Sequence, residues 1–405
     1  MWRGDFSSAP ELGTQSHNGN TFVMHTQLTG VMVAESKQFP RIRHAAFEDY
    51  SQIAALGSRY GLHSKKFDSW KDLWLTNPVY RQLPDWPMGW VLENEDRQIS
   101  GFIGNIPQSY SLGDRTVLAA VSHALVVDLP YRSHSLSLIS RFYAQKNVDL
   151  FLSTTANAQA SKAYAVFGAR RVPLGTWNSS SFWVLDHCRF AATALAMKNV
   201  VFAKPLGYLV GAGLYLKDAF REPLSNRGTA GMEIAECSCF DQRFEIFWEE
   251  LRLGRSSVLL AARSREALQW HFKAALADNQ AWILTVSDGY RLRAYSVFFR
   301  QDSVRFGLKR VRLADFQCPD ENHGDELLKQ MISYAVTLCR RERVHMLETI
   351  GLPVEKQRVI DSLRPHRREL PCWLYFYKTN DKYLSKALAR PEVWDASYFD
   401  GDSSL

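Results

Sequence analysis

The stretch from Val121 to Gly168 leaves the chain few folding options. A branched apolar run, Ala124-Leu125-Val126-Val127, enters the turn Asp128-Leu129-Pro130-Tyr131-Arg132-Ser133-His134-Ser135-Leu136-Ser137. A strand that ends in a turn of small residues opening a helix is one way to present backbone N–H groups to a phosphate. A second apolar strand, Leu150-Phe151-Leu152-Ser153, precedes Asn157, Ala160, Tyr164 and Gly168. Spacings of four and three residues place these four on one helix face. Strand, turn, helix, strand, helix is the layout of a parallel crossover in a mixed sheet.

On these residues the chain resembles the GCN5-related N-acetyltransferase (GNAT) superfamily from about Arg41 to Leu185. The resemblance implies a coenzyme A site in which Val126, Val127, Arg132, Ser133, His134, Ser135, Leu136 and Ser137 surround the pyrophosphate and the thioester. It further implies that Tyr164 protonates the departing thiolate, with Asn157 beside the pantetheine. Arg132 matches the family turn, but Ser135 and Ser137 stand at its glycine positions, and Gly168-Ala169 stands where Gly-Phe is usual. A serine carries a Cβ that restricts φ and holds an anion further from the backbone, while offering a hydroxyl donor. The residues also fit a plainer reading: Ser133 as a helix N-cap, Asn157 as the cap of the next helix, and Tyr164 as a packed ring.

Acyl transfer to an amine needs a base for the attacking nitrogen. His123, on the strand leading to Val126, is the candidate, because imidazole titrates near neutrality. Ser122 faces the other side of the sheet, and no GxSxG elbow surrounds it, which argues against a serine hydrolase.

Ahead of this stretch, helices are expected at Phe47 to Tyr60 and from Ser69 to about Asn77, followed by strands at Gly89–Leu92, Ile99–Tyr110 and Thr116–Val127. Phe182-Trp183-Val184 is expected to close the first sheet. The second half repeats the order, with strands at 281–286, 293–299, 311–316 and 345–348, a long helix at 326–341, and a last strand at Trp373–Tyr377. The resulting fold class is α/β (α+β), with two tandem GNAT-like mixed-sheet domains and flanking helices. The expected boundaries are a poorly ordered tail 1–40, a donor domain 41–185, an apolar helical connector 186–231, a degenerate second domain 232–378, and a docking tail 379–405. The second turn, Pro319 to Glu326, carries four carboxylates that would repel a pyrophosphate. The end of the chain, Pro391 to Asp402, mixes aromatics with acids. It either folds back over the cleft or docks with Trp394 in a groove.

At 405 residues, 46% hydrophobic and 22% charged, the composition is that of an ordinary globular protein. The net charge of +7 is spread along the chain. It favours anionic ligands mildly and gives no sign of DNA binding. Six cysteines without a CxxC pair, and no leader-like start, fit reduced thiols and a cytoplasmic setting. No metal-ligand cluster is expected. The apolar run Leu206–Leu216 is too short to span a bilayer and reads as a buried or interfacial helix. Lys198, Lys204, Lys217 and Arg221 around it permit peripheral membrane contact.

The expected activity is acyl transfer, acetyl in the first instance, from acetyl-CoA or another acyl-CoA to the amine of a small molecule or glycan precursor. A Fem-like aminoacyl-transferase is one alternative. It would use transfer RNA bound on Arg340, Arg341, Arg343, Arg367 and Arg368. A catalytically inactive binding or scaffold module is the other.

Overall fold

The computed structural model describes residues 40–62, 65–219, 233–370 and 373–405. The expected N-terminal tail and the loop-like end of the connector lie outside the described residues. The first half contributes strands β1 (Arg41–His44), β2 (Gly89–Glu93), β3 (Ile99–Leu112), β4 (Arg115–Val127), β5 (Leu150–Ala156), β6 (Arg170–Arg171) and β7 (Ser179–Val184). Its helices are α1 (Tyr50–Arg59), α2 (Phe67–Leu75), α3 (Ser135–Tyr143), α4 (Ala158–Val166), α5 (His187–Met197) and α6 (Ala203–Ala219). The second half supplies β8 (Ile234–Cys237), β9 (Leu260–Ala261), β10 (Ala281–Asp288), β11 (Arg291–Arg300), β12 (Arg310–Gln317), β13 (Met346–Ile350), β14 (His366–Glu369) and β15 (Leu374–Lys378). Its helices are α7 (Gln242–Gly254), α8 (Arg265–His271), α9 (Lys273–Ala277), α10 (Glu321–Arg341), α11 (Val354–Ser362) and α12 (Lys382–Ala387).

These strands form two mixed sheets, and the halves exchange strands: β7 of the first half joins the second sheet, while β9 and β15 of the second half join the first. The first sheet runs β1-β2-β3-β4-β5-β15-β6, with β9 added beside β3; the second runs β14-β7-β13-β12-β11-β10-β8. Two expectations are thereby corrected. Phe182-Trp183-Val184 closes the second sheet against β13, and the last strand, Leu374–Lys378, closes the first against β5. Boundaries at 185 and 232–378 therefore divide the sequence but not the sheets.

Trp177 explains where the chain crosses over. Its indole Nε1 donates to the Thr154 carbonyl at 3.1 Å, and its ring packs on Tyr375 with centroids 4.6 Å apart. Gly351, at φ +66°, leaves that ring its space; a Cβ there would sit 2.8 Å from Trp177 Cε3. The alternation in Ser179–Val184 suits either sheet, so nothing in its own pattern selects one.

Side-chain alternation sorts the strands into three apolar layers. Ile103, Ala120 and Phe151 join Leu138 and Phe142 of α3 and Tyr164 of α4 on the outer face of the first sheet. Val311, Leu313 and Leu347 lie under Met331 and Ala335 of α10 and Ile360 of α11 on the outer face of the second. Between the sheets, one shared core takes Phe102, Val121 and Leu152 from the first, Tyr295 and Val297 from the second, and Trp394, Tyr398 and Phe399 from the C-terminal tail. Trp394 is thus a core residue shared by both halves, not the filler of a surface groove.

Glu348 of β13 holds the exchange together. Ser180 Oγ of β7 donates to it at 2.5 Å, Arg312 Nε of β12 at 2.7 Å, and Arg368 of β14 also pairs with it. Burial alone would raise this carboxyl, but Arg312, Arg368 and Arg310 outweigh it and hold the group far below the usual range. Glu348→Gln strands these guanidiniums, so unfolding free energy from denaturant melts should fall by about 3–5 kcal/mol. An unchanged midpoint would show that the ion cluster does not anchor the exchange.

Candidate active site

β4 and β5 run parallel only from Ala119 to Val121 against Leu150 to Leu152, and separate beyond that point. A bulge in β4 widens the gap. Gly104 faces His123 and Phe102 faces Val126, so Ala124 and Leu125 together oppose Ile103. Ala124 sits at φ +52°, a left-handed conformation that costs an alanine strain and is tolerated where the surroundings enforce it. The bulge also reverses the alternation: Val121 and Val126 both enter the shared core, while Val127 joins the outer layer.

The two sides of the gap carry different chemistry. On the outer side, the Tyr164 hydroxyl lies 3.4 Å from Ser122 Oγ. Burial raises the phenol pKa, Ser122 and Ser153 lower it, and Asp402 raises it again. The net shift is upward, so the phenol remains protonated and able to donate. On the inner side, His123 Nδ1 meets Asp402 Oδ2 at 3.0 Å, and Thr154 Oγ1 donates to Asp402 Oδ1 at 2.8 Å. Asp402 therefore bridges the separated strands and fixes the imidazole by one nitrogen, leaving Nε2 for other partners. Lys65 adds positive charge; burial lowers its pKa and Asp402 opposes the change.

Asp402 was not singled out by sequence reasoning as a site residue. Its only sequence signal was the aromatic and acidic composition of the C-terminal end. That end is tied down residue by residue. Asp395 accepts from Arg255 Nη1 at 2.9 Å and Lys356 Nζ at 2.8 Å, Ser397 Oγ donates to Asp315 at 3.1 Å, and Gln108 Nε2 donates to the Gly401 carbonyl at 2.8 Å. Ser403 reaches Thr154 Oγ1 at 3.1 Å and Ser404 reaches His271 Nε2 at 2.7 Å. Of the two arrangements the sequence left open, the tail takes the first: it folds back into the cleft, with Trp394 in the core and not in a surface groove.

The turn after Val127 departs from expectation. Leu129–His134 forms a six-residue 3₁₀ helix that continues into α3. The Asp128 amide donates to Ser100 O at 2.7 Å, Leu129 to Tyr60 Oη at 3.0 Å and Tyr131 to Asp128 O at 2.9 Å, while Ser135 bonds back to Arg132 O. Pro130 has no N–H, and Arg132, Ser133 and His134 lie inside the wound segment. The cause is local: Pro130 presets helical φ, and without glycine between Asp128 and Ser137 nothing favours an open loop. An open main-chain cradle for a pyrophosphate is therefore absent from this turn. Ser133 is not a cap either, and the Asp128 carboxylate is taken by Arg59 Nη2 at 2.8 Å and Tyr60 Oη at 3.1 Å. The Arg132 and Ser133 side chains are exposed, Ser135 and His134 partly so, and Leu136 and Ser137 face solvent. Asn157 is the cap of α4, its Oδ1 accepting from Gln159 N at 3.0 Å and Ala160 N at 2.8 Å.

In the second half, β12 carries an ion pair beyond the end of its parallel pairing with β13. Arg263 and Asp315 form a fully buried pair there (2.8 Å, each side chain 0% exposed), and Tyr295 Oη donates to Asp315 at 2.7 Å. A surface depression of about 530 Å³ lined by Trp86, Trp90, Arg141 and Lys146 contains none of the expected site residues. No group of acidic, histidine and cysteine side chains able to hold a metal occurs among the described residues.

No family model matches the chain, and no curated protein matches it. Solved structures do. Saccharomyces cerevisiae N-myristoyltransferase with bound myristoyl-CoA superposes with a TM-score of 0.55 at 11% identity, over 86% of this chain and 81% of that one. A GCN5-related N-acetyltransferase from Anabaena variabilis ATCC 29413 gives 0.51 at 11% identity, over 84% and 73%. A conserved Enterococcus faecalis V583 protein described as a probable N-acyltransferase gives 0.53 at 9% identity, over 84% and 73%. The chain has a GNAT-like fold along most of its length.

Asp400, two residues before the bridging carboxylate, tests how the tail is seated. Burial, opposed by Arg263, raises its pKa to about 6. A carboxyl raised in the folded state stabilises most below its unfolded pKa of about 3.9, and that contribution is lost as pH rises to the folded value. Asp400→Asn should therefore match the parent near pH 4 and exceed it increasingly up to pH 6, by about 3 kcal/mol at the plateau. Parallel stability-versus-pH curves for the two proteins would contradict this.

Proposed function

We propose that the protein is an acyl-CoA-dependent N-acyltransferase whose reaction takes place in the gap between β4 and β5. The observation that carries this reading is the bulged gap with a carboxylate-held histidine on one side and a protonated phenol on the other. A thioester threaded between the strands exposes its carbonyl carbon to both. An amine entering from the inner side loses its proton to His123 Nε2 as the C–N bond forms, with Asp402 holding the ring and stabilising the imidazolium. The tetrahedral intermediate then collapses, the C–S bond breaks, and the thiolate takes a proton from Tyr164. Beyond Val121 and Leu152 the facing edges of β4 and β5 are not paired to each other, so the pantetheine amides can bond there as a short strand would. The GNAT-like fold, shared with an N-myristoyltransferase that binds myristoyl-CoA, supports an acyl-CoA donor.

With the turn amides engaged, the donor phosphates would meet the exposed Arg132 side chain and the serine hydroxyls. Acetyl is the simplest acyl group that fits, and a small-molecule or glycan-precursor amine remains the proposed acceptor. The wound turn favours a second reading, an inactive GNAT-like binding module. For the Fem-like alternative, Arg368 is taken up by the buried Glu348, while Arg341 and Arg367 pair with Glu236 and Asp361 at the surface.

Calorimetric titration with acetyl-CoA separates the two readings: micromolar binding is expected, and silence at millimolar donor would favour the binding module. In an amine-dependent thiol-release assay, Tyr164→Phe should lower kcat roughly 100-fold. Asp402→Asn should lower it by about tenfold with little change in the donor KM. Undiminished turnover in Tyr164→Phe would remove that phenol from the scheme.

A further inference from the structure

The helical hairpin α5–α6 inverts the usual arrangement of a surface helix. α6 packs on α5 through glycines: a Cβ on Gly207 would lie 2.5 Å from Ala192 Cβ, and one on Gly211 2.6 Å from Cys188 Cα. Small residues fill the interface, so the large apolar side chains of α6 point outward. Leu209 is 73% exposed and Tyr208 68%; at the hairpin tip Val201 is 72% and Phe202 75% exposed. Tyr215 and Leu216 continue the surface at the other end, also mostly exposed. Isolated exposed apolar residues need no explanation, but a contiguous outward face of this kind marks an interaction site.

The surrounding charge identifies the partner. From His187 to Lys217 there is no aspartate or glutamate, whereas Arg189, Lys198, Lys204 and Lys217 flank the apolar run at both ends. The next acid, Asp218, is already paired with His187 at 3.0 Å and His366 at 2.9 Å. No helix among the described residues is long and apolar enough to cross a membrane. Asp186, just before the hairpin, pairs with Arg189 at 3.5 Å. An apolar face carrying tyrosines and flanked by Lys198, Lys204 and Lys217 matches the anionic interface of a phospholipid bilayer.

We propose that the α5–α6 hairpin is a membrane-docking element that lies in the plane of an anionic phospholipid surface, with the outward face of α6 and the Val201-Phe202 tip embedded in it. The hairpin follows directly on β7, a strand of the second sheet, so docking would hold both halves at the bilayer.

Vesicle co-sedimentation of the full chain tests this. Binding is expected to phosphatidylcholine vesicles containing phosphatidylglycerol, with much weaker binding to phosphatidylcholine alone and release by salt. Lys204→Ala and Lys217→Ala should each weaken it about fivefold. Phe202→Glu and Leu209→Glu should abolish it while leaving the melting temperature unchanged, since both side chains are solvent-exposed. Three results would overturn the proposal: no vesicle binding by the parent, a dimer in light scattering that the same two substitutions dissolve, or a fall of several degrees in their melting temperature. The second would identify another copy of the chain as the occupant, and the third another segment of this chain.

Discussion

The buried pair of Arg263 and Asp315 is the constraint around which the molecule is organised. Neither side chain touches solvent, so each charge must be met in full by its neighbours. Asp315 is met by Arg263, Tyr295, Gln317 and Ser397, and the last of these belongs to the tail. Two residues before Ser397, Asp395 satisfies Arg255 and Lys356. Burial would raise its pKa, but those cations outweigh burial and hold it at about 2. Removing the tail from the seam would leave several cations uncompensated in a low-dielectric interior. That penalty keeps residues 395–405 threaded between the sheets and places Asp402 against His123.

The two halves have used the same geometry differently. Each sheet has a parallel pair that separates after three paired residues, and each has a bulge where it does so. In the second half, Asp315 of β12, beyond the paired residues, belongs to a buried ion network. In the first half the opening is bridged by one carboxylate, between a histidine and a threonine. Two halves of similar layout thus differ: one gap has a histidine and a tyrosine on its two sides, and beside the other lies an ion network.

Much of this was readable in the sequence because it follows from periodicity. The alternation in Ile99–Tyr110 and Thr116–Val127 and the opposite orientations of Ser122 and His123 follow from a two-residue repeat, and the order of strands and helices from its replacement by a 3.6-residue one. What escaped was long-range or cooperative. The exchange of β7 and β15 depends on Trp177 packing against Gly351 and Tyr375, which lie far along the chain. The wound turn has a local cause, but its bracing does not: the Asp128 carboxylate finds Arg59 at the end of α1 and the Leu129 amide finds Tyr60 just beyond it, each at a separation of 69 residues. Asp402 carries no local motif at all. The run at Leu206–Leu216 was recognised as apolar, yet its outward orientation follows from the glycines that face α5.

The strand exchange has a bearing on biogenesis. As the chain emerges from the ribosome, the first sheet lacks the strand that borders β5 until residues 374–378 appear, while β7 waits for a partner made more than 160 residues later. Non-local pairings of this kind slow folding and leave bare strand edges exposed in the interim. The halves therefore cannot be treated as separable modules: a fragment cut in the connector would carry an unfinished sheet and a surplus strand. Both sheets are complete only once β15, residues 374–378, has been made.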